Sequence, residues 1–246
     1  NTLSDPYNVA AGQPAYPWRG RITCDPAPGI AGSVDMSPVA SGQIASFVGT
    51  ALPAHFSISG TVVNYSGPAE WSFRRMVLHY ANLAKAAGGV DAFVIGSELR
   101  GLTQVRGGAS TFPFVDALVA LAQDVKNVLG AATKVTYAAD WSEYFGYQPS
   151  DGSGDVYFHL DPLWSSPAID AIGIDLYWPL ADWRDGRSHH DYMDGVRSIY
   201  DLKYLAGNAV RGEGFDWYYA SAEDRDGQVR TLITDGAAGK PWVFRY

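Results

Sequence analysis

The fold of this chain is decided by the stretch Phe93-Val94-Ile95-Gly96-Ser97-Glu98-Leu99-Arg100-Gly101. Its apolar half is typical of a strand buried on both faces, as found in parallel sheets covered by helices. Residues 79–89 before it are rich in helix formers and stop at Gly88-Gly89, a common helix C-terminal signal. A helix, a glycine pair, a buried strand and then an acid predict one unit of a (β/α)8 barrel, whose reactive groups lie at the carboxyl ends of strands.

The same alternation of helix and strand continues along the chain. Helices are predicted where apolar residues recur at helical spacing, and strands are predicted where apolar runs end in acids. The predicted elements are helices over 71–87, 114–129 and 191–206, and strands over 92–97, 134–141 and 168–177. We therefore predict an α/β fold of the (β/α)8 TIM-barrel-like class, in one domain over residues 1–246, with its βα units in 71–246.

The first 70 residues differ from the rest. They are rich in Pro, Gly, Ser and Ala and predict a long irregular loop region. Within it we expect a short helix over 41–50 and a hairpin over 56–65. Three strands are too few for a closed barrel of eight, and a strand-like run over 240–246 ends the chain. The sequence therefore predicts an incomplete barrel, in a segment of a longer polypeptide.

Composition excludes several classes of function. The net charge is −8 and there is no basic run, so nucleic acid is not an expected partner. No apolar stretch approaches the ~18 residues of a membrane span. Cys24 is the single cysteine, which excludes an internal disulfide and a cysteine-based zinc site. We expect no metal and no cofactor.

Glu98 is the strongest candidate for a catalytic residue, because it follows a predicted buried strand. A glycosidase needs two carboxylates facing one bond, a proton donor and a nucleophile or base. Glu213 is the possible second carboxylate, since Gly212 and Gly214 let the backbone bend and expose the acid. Two alternatives remain open: Glu98 paired with an arginine to hold a loop, and Glu213 in a structural salt bridge.

Further side chains are predicted at the same end of the barrel, the mouth formed by the carboxyl ends of its strands. Asp140 with Glu143, and Asp175 with Tyr177, follow the next two strands, although Asp140 is better explained as a cap of the following turn. We also expect Arg19 or Arg100 to contact a carboxylate there. The predicted substrate-binding residues are Trp18, Arg19, Tyr137, Trp141, Asp175, Tyr177, Trp178 and Trp217.

The chain resembles the TIM-barrel-like domain of the large tail-tip proteins (baseplate hub, "megatron") of gene transfer agents and related tailed phages of alphaproteobacteria. The matching stretches are residues 16–24, 88–102, 137–146 and 212–217. That domain is in turn similar to retaining (β/α)8 glycoside hydrolases, especially the β-mannanase-like barrels. The motifs shared with those enzymes are Trp18-Arg19-Gly20, Ile95 to Leu99, and Ile172 to Tyr177.

The resemblance implies a glycoside hydrolase-like domain of a tail tip. Glu98 matches the acid/base residue at the end of strand four, and the nucleophile is expected beyond Tyr246, so this segment alone should be nearly inactive. Such enzymes often have Asn before the acid/base residue, where this chain has Ser97. The implied partners are host surface or cell-wall glycan and other tail-tip proteins. The implied location is the virion or gene transfer agent particle, after synthesis in the bacterial cytoplasm.

Two functions remain open at this point. The first is a glycoside hydrolase domain, which needs a second carboxylate ~5–5.5 Å from Glu98 if it retains configuration, or ~6.5–9.5 Å if it inverts configuration. The second is a non-catalytic glycan-binding or structural module of the baseplate, which predicts that ion pairs occupy Glu98 and that no open cleft exists.

Overall fold

A computed structural model describes residues 4–12, 18–108, 111–177, 179–209 and 217–234. The chain divides into two compact units, Asn1–Leu176 and Tyr177–Tyr246. The prediction of a single domain over 1–246 stays a prediction. None of the described helices is both long enough and apolar enough to cross a membrane.

The first part of unit one contains more regular structure than a long irregular loop. Its elements are strands β1 (Ser4–Asp5) and β2 (Asn8–Gly12), a 3₁₀ turn (Arg19–Arg21), helix α1 (Pro38–Val48), a second 3₁₀ turn (Pro53–His55), and strands β3 (Phe56–Ser59) and β4 (Val62–Tyr65). The predicted hairpin is confirmed, because β3 and β4 pair antiparallel. The predicted helix is also present, but it starts at Pro38, where the Ser37 hydroxyl accepts from the Ala40 N–H.

The predicted βα units form the centre of unit one. They consist of helix α2 (Phe73–Ala86), strand β5 (Ala92–Ser97), helices α3 (Arg100–Thr103) and α4 (Pro113–Leu129), strand β6 (Lys134–Asp140), helix α5 (Asp161–Trp164) and strand β7 (Gly173–Asp175). The three strands make one parallel sheet in the order β5-β6-β7. Since the carboxyl ends of parallel strands meet at one edge, Ser97, Asp140 and Asp175 lie near one another.

The core lies between this sheet and the helices. The buried stripe of α4 packs in one cluster with Ile95 of β5 and with Val135 and Tyr137 of β6. Val94 lies between inward-facing neighbours on β5, and it is 51% exposed. Parallel sheets are normally covered on both faces, and the described residues close no barrel around this one. The fold is therefore TIM-barrel-like and consistent with an incomplete barrel.

A β-bulge interrupts β5 just before the acid. Val94 pairs with Thr136 but Ser97 pairs with Ala138, so β5 has one residue more than β6 over this interval. Bulges bend a strand and re-aim the side chains that follow it. The bulge therefore contributes to the direction in which the chain leaves β5.

Unit two is smaller. It contains helices α6 (His190–Met193) and α7 (Leu202–Ala209), strand β8 (Trp217–Tyr218), helix α8 (Ala222–Gly227) and strand β9 (Thr231–Leu232). Asp182 is buried in it and accepts hydrogen bonds from Tyr219, Gln228 and Arg230 at 2.5, 2.9 and 2.8 Å. The single helix predicted over 191–206 is wrong, because Gly195 has φ +101° and separates α6 from α7. The strand-like run over 240–246 lies outside the described residues.

Candidate functional site

Glu98 stands in a strained turn at the carboxyl end of β5. Its φ is +53°, which for a residue other than glycine costs about 1–3 kcal/mol. Hydrogen bonds hold both sides of the turn: the Glu98 N–H donates to the Ala138 carbonyl at 2.8 Å, and the Leu99 N–H donates to the Tyr137 hydroxyl at 2.7 Å. Backbone strain of this kind collects at functional sites, where the surrounding structure maintains it.

The Glu98 carboxylate is fixed through one of its two oxygens. The Arg19 guanidinium lies 2.7 Å from Oε2, and the Trp18 indole N–H donates to the same oxygen at 3.0 Å. No described residue donates a hydrogen bond to Oε1. Glu98 is only 5% exposed. The carboxylate is therefore held in one orientation, with its second oxygen available to another group.

Arg19 joins Glu98 to two further residues. Its Nε donates to the Ser97 carbonyl at 2.7 Å and its Nη2 donates to the Ser97 hydroxyl at 2.9 Å. That hydroxyl donates in turn to Asp175 Oδ2 at 2.7 Å. The prediction that Arg19 or Arg100 contacts a carboxylate is confirmed, with Arg19 as the residue. We call Trp18, Arg19, Ser97, Glu98 and Asp175 the strand-exit site.

Ser97 was missing from the residues predicted for the site. Its hydroxyl links the cation of Arg19 to the carboxylate of Asp175, so it connects the exits of β5 and β7. The signal in the sequence is its position between an apolar strand and Glu98.

A further carboxylate, that of Glu143, is connected to the Glu98 turn through the Tyr137 hydroxyl. It is fully buried and accepts from Thr103 Oγ1 at 2.6 Å, from the Tyr137 hydroxyl at 2.9 Å and from the Asp140 N–H at 3.0 Å. The prediction that Glu143 points into the mouth is therefore wrong. The binding role predicted for Tyr137 is also incompatible with its position: its side chain is fully buried, and its hydroxyl is shared between Glu143 and the Leu99 N–H.

Burial gives Glu143 a titration near neutral pH. Loss of hydration raises its pKa to about 7, although the hydrogen bonds from Thr103, Asp140 and Tyr137 oppose the rise. Burial likewise raises the pKa of Tyr137 well above its ordinary value. The Tyr137 hydroxyl therefore stays protonated and donates a hydrogen bond to Glu143.

We predict that Glu143 makes the protein less stable as the pH rises. Between the ordinary pKa of 4.5 and about 7, the unfolded chain ionises this group while the folded chain retains the proton. At about 1.4 kcal/mol per pH unit, the loss approaches about 3 kcal/mol by pH 7. The free energy of unfolding, measured with urea from pH 4.5 to 8, should fall less steeply with pH in Glu143→Gln than in the wild type. The exposed Glu223→Gln variant is the control, and equal slopes in all three proteins would contradict the prediction.

The other predicted site residues are distributed as follows. Asp140 caps its own turn as predicted, since its Oδ1 accepts from the Ser142 N–H at 2.9 Å. Trp141 is half-buried, and its backbone N–H donates to the Asp175 carbonyl at 3.1 Å. Tyr177, which is 82% exposed, and Trp217, whose ring lies under Arg230 at 4.2 Å, belong to unit two. Trp178 and Glu213 lie outside the described residues.

A glycine contact fixes the turn that carries Trp18 and Arg19. A Cβ on Gly101 of α3 would lie 2.5 Å from the Ile22 carbonyl oxygen and 2.7 Å from the Gly20 carbonyl oxygen. Both atoms are backbone, so they cannot give way as a flexible side chain would. The close approach of α3 to this turn therefore requires glycine at position 101.

We predict that Gly101→Ala destabilises the fold by about 1–3 kcal/mol, because the added methyl group overpacks this contact. The matched control is Gly42→Ala in α1, where a Cβ meets nothing within 4 Å. That change should stabilise by about 0.5–1 kcal/mol, since alanine is the better helix former. Thermal and urea unfolding of the two variants measure both effects, and a Gly101→Ala protein as stable as the wild type would contradict the prediction.

Comparison with known proteins supports the TIM-barrel-like fold. The family model of the GTA TIM-barrel-like domain matches residues 71–246, which include all three parallel strands. The strand-exit residues Trp18 and Arg19 precede the matched range. No significant match was found among curated proteins. The match confirms the resemblance to the TIM-barrel-like domain of gene transfer agents, and the chain belongs to the family of GTA TIM-barrel-like domains.

Proposed function

We propose that this domain hydrolyses a β-linked glycan of the host surface or cell wall, with retention of configuration and with Glu98 as the acid/base. The observation that carries the proposal is the setting of Glu98. It is a buried carboxylate at a parallel strand exit, in a strained turn, with one oxygen fixed by Arg19 and Trp18. Barrel enzymes place their reacting groups at this end of the strands.

The geometry suits proton transfer for two reasons. An acid/base residue must hold its proton-carrying oxygen steadily against the glycosidic oxygen, and a fixed rotamer reduces the entropy lost on reaching that arrangement. Arg19 and Trp18 occupy Oε2 only, so Oε1 is the oxygen that would exchange the proton.

The proposed reaction needs a second carboxylate as the nucleophile. Glu98 would protonate the leaving-group oxygen while that carboxylate attacks the anomeric carbon and forms a glycosyl-enzyme intermediate. Glu98 would then take a proton from water, whose oxygen displaces the carboxylate. By the resemblance to retaining glycoside hydrolases we expect the nucleophile after strand seven, and Glu213 is the alternative within this chain.

We further propose that the domain works at the tail tip of a gene transfer agent or phage particle, beside other tail-tip proteins. Family membership and the tail-tip resemblance of the motifs support this location. There, hydrolysis of surface glycan would open a path to the cell envelope.

A non-catalytic glycan-binding or structural module of the baseplate is the second candidate. The observation that favours it is the 2.7 Å ion pair between Arg19 and Glu98, because an arginine–carboxylate pair can also hold a loop without taking part in a reaction. In that case Glu98 would anchor the turn that carries Trp18 and Arg19, and the mouth would bind sugar without cleaving it.

Incubation of the full-length protein with bacterial wall and capsular glycans and with defined β-linked oligosaccharides separates the two candidates. Hydrolysis predicts new reducing ends, and proton NMR at early times should show that the first product is the β anomer. Binding without any release of reducing ends would reject hydrolysis and support the binding module.

A further inference from the structure

A pocket of about 360 Å³ opens in unit one beside the strand-exit site. It lies between the 3₁₀ turn at Arg19–Arg21, helix α3 and the segment 147–150. The volume falls within the ~300–1,000 Å³ of small-molecule sites. The backbone contact at Gly101 joins α3 to the turn, so two walls of the pocket are fixed relative to each other.

The pocket is cationic in a chain whose net charge is −8. Among the described residues that line it there are two arginines, Arg21 and Arg100, and no acid. Arg21 is already neutralised by Asp5, whose carboxylate oxygens lie 2.9 and 3.0 Å from its Nη2. Arg100 is exposed, and within the described part of the chain its guanidinium has no hydrogen-bond or ion-pair partner. One uncompensated positive charge therefore faces the pocket.

The neutral groups of the pocket suit a sugar. Gln104 and Gln148 offer amides that both donate and accept, which is what ring hydroxyls require. Tyr7 and Tyr147 add aromatic rings to the lining. Burial raises the pKa of Tyr147 to about 12, so its hydroxyl remains a neutral donor.

Trp18 connects the pocket to Glu98. Its ring lines the pocket, and its indole N–H donates to Glu98 Oε2 at 3.0 Å. A ligand in the pocket would therefore contact the same side chain that orients the proposed acid/base residue. This adjacency is what a neighbouring sugar subsite needs.

We infer that this pocket is a subsite for a sugar that carries a carboxylate, such as a uronic acid within a glycan. The inference rests on the proposed function and names its substrate class. The planar guanidinium of Arg100 matches a carboxylate with two parallel hydrogen bonds. One free positive charge balances one carboxylate, whereas a phosphate monoester carries about −1.5 to −2 at neutral pH.

The test measures binding by calorimetry to the full-length protein in its Glu98→Gln form, so that cleavage does not consume the ligand. The probes are β-1,4-linked oligomannuronate and oligoglucuronate, the carboxyl-reduced neutral form of each, and inorganic phosphate. At least one oligouronate should bind at least tenfold more tightly than its neutral form. Arg100→Gln should remove about tenfold or more of that affinity. Arg100→Lys should restore part of it, and the control Arg225→Gln, an exposed arginine of unit two, should leave it unchanged.

Other outcomes overturn the inference. These are equal binding of acidic and neutral oligosaccharides, no binding of either oligouronate, or the same loss in Arg225→Gln as in Arg100→Gln. Tighter binding of phosphate than of either oligouronate would overturn the assignment of a carboxylate. Binding that depends on Arg100, with no hydrolysis of any glycan by the wild type, would support the acidic-sugar subsite and reject the proposed hydrolase function. Hydrolysis that depends on Glu98, with no preference for acidic sugars, would support the hydrolase and reject the acidic-sugar subsite.

Discussion

Glu98→Gln is expected to lower the rate of glycan cleavage by about a thousandfold while the protein stays folded. General acid–base catalysis contributes typically 10²–10⁴-fold, and an amide neither donates nor accepts the proton of the leaving group. Glutamine has nearly the same shape as glutamate. Its amide oxygen accepts hydrogen bonds from Arg19 and Trp18 as Oε2 does, so the strand-exit site should keep its arrangement.

The measurement is the initial rate of reducing-end release by the full-length protein on a glycan that the wild type cleaves. Glu223→Gln, a change at an exposed position of α8, is the matched control and should retain the full rate. Thermal unfolding of both variants checks that the lower rate comes from the missing acid/base group and not from unfolded protein. Equal release by Glu98→Gln and wild type would remove Glu98 from catalysis.

Asp35→Ala is expected to destabilise unit one by about 3–5 kcal/mol, because it leaves a buried cation without its main partner. Arg106 is 3% exposed, and its Nε and Nη2 donate to Asp35 Oδ2 at 3.0 and 2.7 Å. The Arg106 N–H also donates to Asp35 Oδ1 at 2.7 Å, so a backbone donor loses its acceptor as well. Burial opposes the charge on Arg106, but the hydrogen bonds to Asp35 and Asp151 outweigh it and raise its pKa above the ordinary value.

Asp151→Ala is the matched control for this ion pair. Asp151 contacts the same guanidinium at 2.8 Å, but its side chain is 33% exposed and water replaces part of the lost contact. Its effect on the urea midpoint should be much smaller than that of Asp35→Ala. Similar losses from both variants, or a loss below about 1 kcal/mol from Asp35→Ala, would contradict the burial argument.

The central sheet was predictable because its signals are local. Strand β5 was predicted with the observed bounds, and helix α4 begins one residue before the prediction, at Pro113, a residue common in the first turn. In both segments the period of the apolar residues agrees with the intrinsic preference of the chain, so pattern and propensity point to one structure.

Elements that depend on tertiary context were less predictable. The strand predicted over 168–177 shrinks to Gly173–Asp175, although the Asp170 N–H still donates to the Val135 carbonyl. The helix predicted over 191–206 was read through Gly195, whose positive φ ends the first turn. A glycine inside a helical pattern is compatible with a helix or with a break, and packing decides between them.

The candidate site was predictable in position but not in connectivity. The acid at a strand exit and a nearby arginine follow from the order of elements, and Arg19 and Glu98 do meet. The bridge from Ser97 to Asp175 depends on side-chain orientation after a bulge, which residue types do not specify. The burial of Glu143 depends on Thr103, 40 residues away, so no local pattern indicates it.

The hydrogen bond between Trp18 and Glu98 spans 80 residues of sequence, and those from Arg19 to Ser97 span 78. Closing so long a loop costs chain entropy before any contact in it forms. The strand-exit site should therefore assemble late in folding, after β5 and β6 have paired, and it should be lost early when unit one opens locally. The two halves of the site, residues 18–21 and 97–101, lie at the ends of a segment that contains helices α1 and α2 and the hairpin. We therefore expect unfolding of that segment to disrupt the hydrogen bonds between the two halves.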